Sequence, residues 1–199
     1  MKRTLVGLIL YLSLLMGAAT SVAAQSFEMG LRAYDRRDYA TALREWRPLA
    51  EHGDAAAQYN LGQMFRKGEG VIRDYKEAVK WFRKSAEQGN ATAQGNLGAM
   101  YDNGKGVVRD YREAVKWYRL AAEQGNATAQ GNLGVMYGSG SGVIQDIVKA
   151  HMWLNIGASN GNAIAAKARD YATTLMTESQ ISKAQQLARE CVARNYKGC

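Results

Sequence analysis

Apolar residues recur along this chain in pairs of short helical stripes, and the pairs themselves repeat. Ala57, Leu61, Gly62 and Phe65 fall on one face of a predicted helix running from Ala55 to about Arg66, with polar residues between them. Gly68 and Gly70 break that helix. A second stripe follows, made of Ala78, Trp81, Phe82 and Ala86, and Asp74 with Glu77 predicts a capping box at its start. The same order returns 36 residues later as Ala93, Leu97, Gly98 and Tyr101, then Ala114, Trp117, Tyr118 and Ala122. Each unit thus predicts two helices, A and B. Neither can bury its stripe alone, so neighbouring pairs must stack.

The period is also literal. Residues 89–98 read GNATAQGNLG, residues 125–134 repeat that string letter for letter, and residues 53–62 carry the weaker form GDAAAQYNLG. Gly53 reads as the stop of the preceding helix, and Asp54 and Asn90 as N-caps of A helices. Asp110 with Glu113 repeats the capping box of the B helix. Small residues (Ala57, Gly62, Ala78, Ala86 and their counterparts) allow close helix approach, with Trp81 and Phe65 filling the groove between. Val71 and Ile72 are expected to tuck under the connecting loop.

The pattern divides the chain into a helix pair at 25–52, units at 53–88, 89–124 and 125–160, and a C-terminal cap at 161–199. In the first pair Gly30 lies 12 residues before Ala42, against 16 from Gly62 to Ala78, so its connection is shorter. Pro48 is expected to kink or end its helix. The third unit decays in its second half, where Ile147 replaces Tyr and Lys149 replaces the acid of the capping box. In the cap, Asn162 opens another A-type helix to about Leu175, and Thr177 with Gln180 opens a last one to about Val192. Ile181, Ala184, Leu187, Ala188 and Cys191 share one apolar face of that last helix. Lys183, Gln185, Gln186 and Arg189 make the opposite face polar, as a terminal repeat requires for solubility.

Residues 1–24 have a separate logic. Lys2 and Arg3 precede an almost wholly apolar run from Thr4 to Ala19, and Val22, Ala23 and Ala24 supply small residues where a signal peptidase reads. The expectation is a signal peptide cleaved after Ala24 and a periplasmic or secreted mature chain without a membrane span. The apolar run is short for a spanning helix.

The motif Ala-x-Ala-Gln-x-x-Leu-Gly-x-x-Tyr, the Gly-x-Gly-Val loop, Asp-Tyr-x-x-Ala-x-x-Trp and the closing Ala-x-x-Gly together resemble the Sel1-like repeat, a relative of the tetratricopeptide repeat. The resemblance is close over 53–160 and loose over 27–50, where the short connection is more like a plain tetratricopeptide repeat. It implies an all-α fold, a right-handed α-solenoid of antiparallel helix pairs whose concave face is lined by A helices. It further implies an adaptor or regulator of the cell envelope that binds a protein or peptide. Some exported, Cys-rich relatives are described as penicillin-binding or β-lactamase-like, which gives the alternative of an enzyme acting on cell-wall material or β-lactams. Those relatives carry a Cys pair in every repeat, whereas this chain has no Cys before Cys191.

Composition and charge add little. The absence of a Gly-X-Y period and 47% hydrophobic residues exclude collagen and disorder. The net charge of +8 includes Lys2 and Arg3 of the predicted leader, and the remaining basic and acidic residues are interspersed as on a solvated helical surface, so no nucleic-acid partner is expected. Cys191 and Cys199 predict a disulfide in an exported chain. No metal site and no cofactor are expected, because no His or acid accompanies the Cys pair at ligand spacing. His52 and His151 have no nearby nucleophile, the acids are assigned to caps, and no catalytic residue is predicted. The loop Gly138-Ser-Gly-Ser-Gly142 follows a helix and lacks the Lys-Ser/Thr ending of a phosphate cradle. Asn90 and Asn126 begin formal glycosylation sequons but serve as caps.

One column stands out. Asn60, Asn96 and Asn132 each precede the Leu-Gly of an A helix, and by similarity to tetratricopeptide repeats this position faces the concave groove. An amide both donates and accepts, so a ladder of amides can hold an extended peptide backbone; bonds within the stack are the structural alternative. Tyr59, Gln63, Arg66 and Lys67 are the expected groove neighbours in the first full unit, with Ala99, Asp102, Val135 and Ser139 in the next two.

Overall fold

The A helices of the three full units are punctuated in the same way, and the N-terminal punctuation, shared by the A-type helix of the cap, is side-chain chemistry. Asp54, Asn90 and Asn126 each accept the backbone N–H three residues on, and Asn162 accepts two backbone N–H groups. The A helices end on Gly68, Gly104 and Gly140 in the left-handed conformation. Asp74, Asp110 and Asp146 then cap the B helices, each accepting two N–H groups of the first turn.

The computed structural model describes residues 22–199. Apart from residues 22–24, the predicted leader lies outside the described residues. Among the described residues there are ten helices and no strand. They are α1 over 22–35, α2 (Tyr39–Glu51), α3 (Ala55–Lys67), α4 (Tyr75–Glu87), α5 (Ala91–Asn103), α6 (Tyr111–Ala122), α7 (Ala127–Ser139), α8 (Ile147–Ser159), α9 (Ala163–Thr173) and α10 (Glu178–Ala193). Each helix from α2 to α8 packs on the next in the chain, which is the nearest-neighbour stacking of a solenoid. None of the described helices is long and apolar enough to cross a membrane.

The close approach of A and B helices rests on a glycine met by a large side chain. A Cβ on Gly62 would lie 2.5 Å from the Phe82 ring, one on Gly98 2.8 Å from Tyr118, and one on Gly134 2.7 Å from Leu154. Gly30 meets Trp46 in the same way, at a separation shorter by four residues, as expected for the shorter first connection. The buried Trp46, Trp81, Trp117 and Trp153 occur once per pair.

A polar ladder runs through this apolar stack. Gln58, Gln94 and Gln130 are buried, and each donates its side-chain amide to a carbonyl eight residues back, that of Ala50, Ala86 or Ala122. Their carbonyls accept the amides of Gln88, Gln124 and Asn160, each at 2.8 Å. Each rung thus joins the start of one A helix to the ends of the B helices on either side.

Several expectations need correction. Pro48 does not end its helix: α2 continues to Glu51, and the carbonyl of Pro48 accepts the backbone N–H of His52. Asp74 and Asp110 cap as expected, but Glu77 and Glu113 do not close capping boxes. The N–H groups they would satisfy already donate to Phe65 and Tyr101 carbonyls, and the two glutamates pair with Lys80 and Lys116 instead. Only Val71 of the loop pair tucks in. Ile72 is 92% exposed, and its counterparts Val108 and Ile144 are 88% and 91% exposed. The reason is the preceding glycine: a Cβ on Gly106 would lie 2.2 Å from the Tyr75 carbonyl oxygen, so the loop is pressed onto the start of the B helix before it and its tip is turned outward.

The cap also departs from a regular repeat. The apolar face of α10 forms as expected, with Ala184, Ala188 and Cys191 buried, but it packs on α8. Cys191 and Cys199 stand in disulfide geometry with Cα atoms 5.7 Å apart. The turn they close brings the Tyr196 hydroxyl to the Asn160 amide at 3.2 Å.

Candidate functional site

α10 packs on α8 and leaves α9 without a following helix against it, and a series of cavities is lined by residues of the A helices α3, α5, α7 and α9. On α5, Asn96, Ala99 and Asn103 follow at helical spacing and line one cavity of about 240 Å³ together with Arg66, Tyr75, Met100 and Lys105. Asn96 and Ala99 also line the next cavity, about 170 Å³, which ends at Asn132 on α7. One turn on from Asn132, Val135 lines a third cavity of about 260 Å³ between α7, α8 and α9. Asn96 and Asn132 therefore border one continuous trough. Asn60 occupies the equivalent place on α3 and is half-buried, as are the other two.

Local bonds decide how free each side chain is. The Asn96 amide donates to its own helix at the Thr92 carbonyl, 2.8 Å away, which leaves its carbonyl oxygen without a partner among the described residues. The Tyr59 ring packs tilted against Phe82, and its hydroxyl accepts from Gln63, which in turn accepts from Arg66, both at 2.7 Å. These three side chains form one preorganised chain. Lys67 is drawn away from it: its ammonium group bonds the Tyr34 hydroxyl at 2.9 Å and pairs with Glu69 at 3.5 Å. Burial, then the bond to Glu69, push the Tyr34 hydroxyl above the ordinary phenol range. Asp102 is likewise engaged, accepting the Tyr118 hydroxyl at 3.3 Å. Burial and then Asp102 hold that phenol well above its usual range, so it remains a neutral donor.

The third cavity is the part that the residue pattern did not anticipate beyond Val135 and Ser139. Ile147, Ala150, Leu154, Ala168, Tyr171, Ala172 and Leu175 complete an almost wholly apolar lining. The sequence signal was present: Tyr171 and Leu175 stand 36 residues after Val135 and Ser139. A separate cavity of about 460 Å³ lies between α8 and α10, with Arg189 as its one charged lining residue.

Neither histidine joins the trough. His52 is exposed and contacts the Pro48 carbonyl, while His151 is buried beside Thr173. Among the described residues no three His, Cys, Asp or Glu side chains gather as a metal-binding set.

The family model for the Sel1 repeat matches residues 55–90, 91–126 and 127–162, more than half of the chain. The chain belongs to the Sel1 repeat family. A Sel1 repeat protein of Oxalobacter formigenes, solved by crystallography, superposes with a TM-score of 0.71 at 32% identity over 82% of this chain and 72% of that one. A protective antigen present in uropathogenic Escherichia coli strains, with the same repeat fold, gives 0.53 at 30% identity over 87% of this chain and 47% of that one. The cysteine-rich protein B of Helicobacter pylori shares the fold at 21% identity, with a TM-score of 0.52 over 65% of this chain and 93% of that one. No curated protein matches the chain. Sel1 repeats generally serve as protein-interaction scaffolds, and this one has the stacked helix pairs on which that role depends.

Proposed function

We propose that this Sel1-repeat chain is an exported, non-enzymatic scaffold that holds a protein or peptide segment along the open face of its A helices. The observation that carries the reading is the continuity of the trough past Asn96 and Asn132. An extended segment has unpaired backbone N–H and C=O groups at regular intervals, and side-chain amides at the repeat spacing can meet them without reading its side chains. Asn60, Asn96 and Asn132 are the proposed backbone contacts, with Tyr59, Gln63 and Arg66 as a preset rim; Lys67 is reserved for Tyr34 and Glu69. A location outside the cytoplasm is supported by the leader-like residues 1–24 and by the Cys191–Cys199 pair.

The test is capture from an envelope extract by the chain and by its Asn60/Asn96/Asn132 triple Ala variant, with helical circular dichroism matched between them. A protein retained by the first and lost by the second supports the groove. Equal retention would move binding elsewhere, with the cavity between α8 and α10 the next place to mutate. Covalent labelling by a tagged penicillin would instead support the enzymatic alternative, and N-terminal sequencing of the exported chain tests cleavage after Ala24.

A further inference from the structure

The face of the A helices changes chemistry from the joined first two cavities to the third, and the change is systematic. Following equivalent A-helix positions at 36-residue steps, one column reads Gln63, Ala99, Val135, Tyr171, and another reads Lys67, Asn103, Ser139, Leu175. The end near α3 is polar and cationic, and the end near α9 is apolar.

Two facts make this more than a gradient of composition. At the α3–α5 end, Arg66 and Lys105 line the same cavity, no acid lines it, and among the described residues neither cation forms an ion pair. Of the other basic groups, Lys67 pairs with Glu69 and Lys80 with Glu77, while Arg73 lies over the Tyr75 ring, 5.6 Å from its centroid, and adds to the positive charge on this side. The groove's own acid, Asp102, is held by Tyr118 and does not line this cavity. Two uncompensated positive charges in a concave site attract an anion. At the other end Tyr171 and Leu175 remain 68% and 61% exposed while bordering an apolar cavity. Exposed apolar side chains rimming a concavity mark a place where a partner's apolar side chain is covered.

We infer that the segment bound in this trough is amphipathic in sequence, with an acidic residue seated at Arg66 and Lys105 and a large apolar side chain seated between α7 and α9. The inference rests on the groove reading above and specifies its ligand. It also fixes a spacing. Packed helices lie about 8–10 Å apart, so the two repeat steps between the cavities span about 20 Å. At about 3.3 Å per extended residue, the acidic and apolar positions are about six residues apart.

Selection of a random-peptide display library on the immobilised full chain tests this, with a selected peptide then labelled for fluorescence polarisation. Enriched peptides should carry Asp or Glu about six residues from Leu, Phe, Trp or Tyr. Arg66→Glu with Lys105→Glu should weaken the labelled peptide by about tenfold or more, as should Tyr171→Ala with Leu175→Ala. The charge-reversed variant should regain binding when the peptide's acid is changed to Lys, an effect that misfolding does not produce. All four side chains are exposed or half-buried, so the variants keep the fold, with circular dichroism as the check. Peptides lost with Asn96→Ala and Asn132→Ala but indifferent to the charge reversal would leave the groove reading standing and overturn this one. Peptides indifferent to all of these substitutions, or no enrichment at all, would overturn both.

Discussion

Gln124 donates its side-chain amide to the buried Gln94 carbonyl at 2.8 Å, linking the end of one repeat to the start of the A helix that opened it. The other end of Gln94 donates to the Ala86 carbonyl at 3.1 Å, so one side chain ties α4, α5 and the end of α6 together. Hydrophobic stacking between repeats is non-directional and tolerates sliding, whereas this bond has a single register. The rung recurs at Gln58 and Gln130, and where the last repeat substitutes Asn160 for Gln the bond persists.

Gln94→Met removes that rung while keeping nearly the same shape. It leaves the Gln124 amide without its strongest partner, and the loss should be about 1–3 kcal/mol of unfolding free energy by urea titration. Gln124→Met should cost less, because its amide is nearer solvent and the Gln94 amide keeps its carbonyl at Ala86. A Gln94→Met chain as stable as the parent would show that the rung adds no net stability.

Gly98 and Gly95 sit on the same helix, three residues apart, and should respond in opposite directions to alanine. A Cβ at Gly98 would lie 2.8 Å from the Tyr118 ring, which is itself buried, so Gly98→Ala should cost about 1–3 kcal/mol through overpacking. A Cβ at Gly95 meets nothing closer than 3.8 Å, and Gly95→Ala should gain about 0.5–1 kcal/mol of helix stability. Thermal melts of the two single variants check both signs. Equal effects would mean that helix propensity, not the A–B contact, governs this position.

How far these features can be read from residues alone follows from the range of the interactions. N-caps at Asp54, Asn90 and Asn126 were legible because the acceptor and the N–H it serves are three residues apart. The Gln ladder was not, because its partners lie 30 residues away and a buried Gln looks like a surface one in sequence. Ile72 was misjudged because apolar character does not say which way a loop turns; the backbone contact at Gly70 with Tyr39 decides that. The candidate groove was half legible. The Asn column came from similarity and does border the trough at Asn96 and Asn132, whereas the apolar end needed α10 to leave α9 uncovered, and helix periodicity cannot foretell that. Lys67 is an expected groove neighbour whose ammonium group is held by Tyr34 and Glu69, and these partners approach it only in the folded chain.

His151 should make the C-terminal half sensitive to mild acid. Thr173 donates its own hydroxyl proton to the Arg169 carbonyl, so the bond between Thr173 and His151 requires the imidazole to donate from Nε2. Nδ1 is then a bare acceptor, buried and without a partner. Burial first, and the Arg169 charge second, hold the imidazole below its ordinary value, with Asp170 opposing. A group whose folded value is depressed binds its proton more readily when unfolded, so its stability contribution is present above the unfolded value, near 6.5, and is lost as pH falls through and below it. The urea midpoint should therefore drop from neutral towards mildly acidic pH, and His151→Gln should flatten that part of the profile. An unchanged slope in the variant would assign the acid sensitivity to other groups.

Ile72, Val108 and Ile144 give the last test, because they are apolar, regularly spaced and bury almost nothing. Replacing all three by Thr keeps the β-branched shape that suits the extended loop, so neither the turn nor the core is disturbed. The triple variant should remain within about 0.5 kcal/mol of the parent, the usual range for surface substitutions. Val71→Thr, by contrast, puts a hydroxyl into the contact with the α1–α3 cluster and should cost about 1–3 kcal/mol. Denaturation of both at several protein concentrations separates the cases. A triple variant that loses stability only at high concentration would show that these loop tips are covered by a second copy of the chain, and analytical ultracentrifugation would then detect the parent's self-association and its loss in the variant.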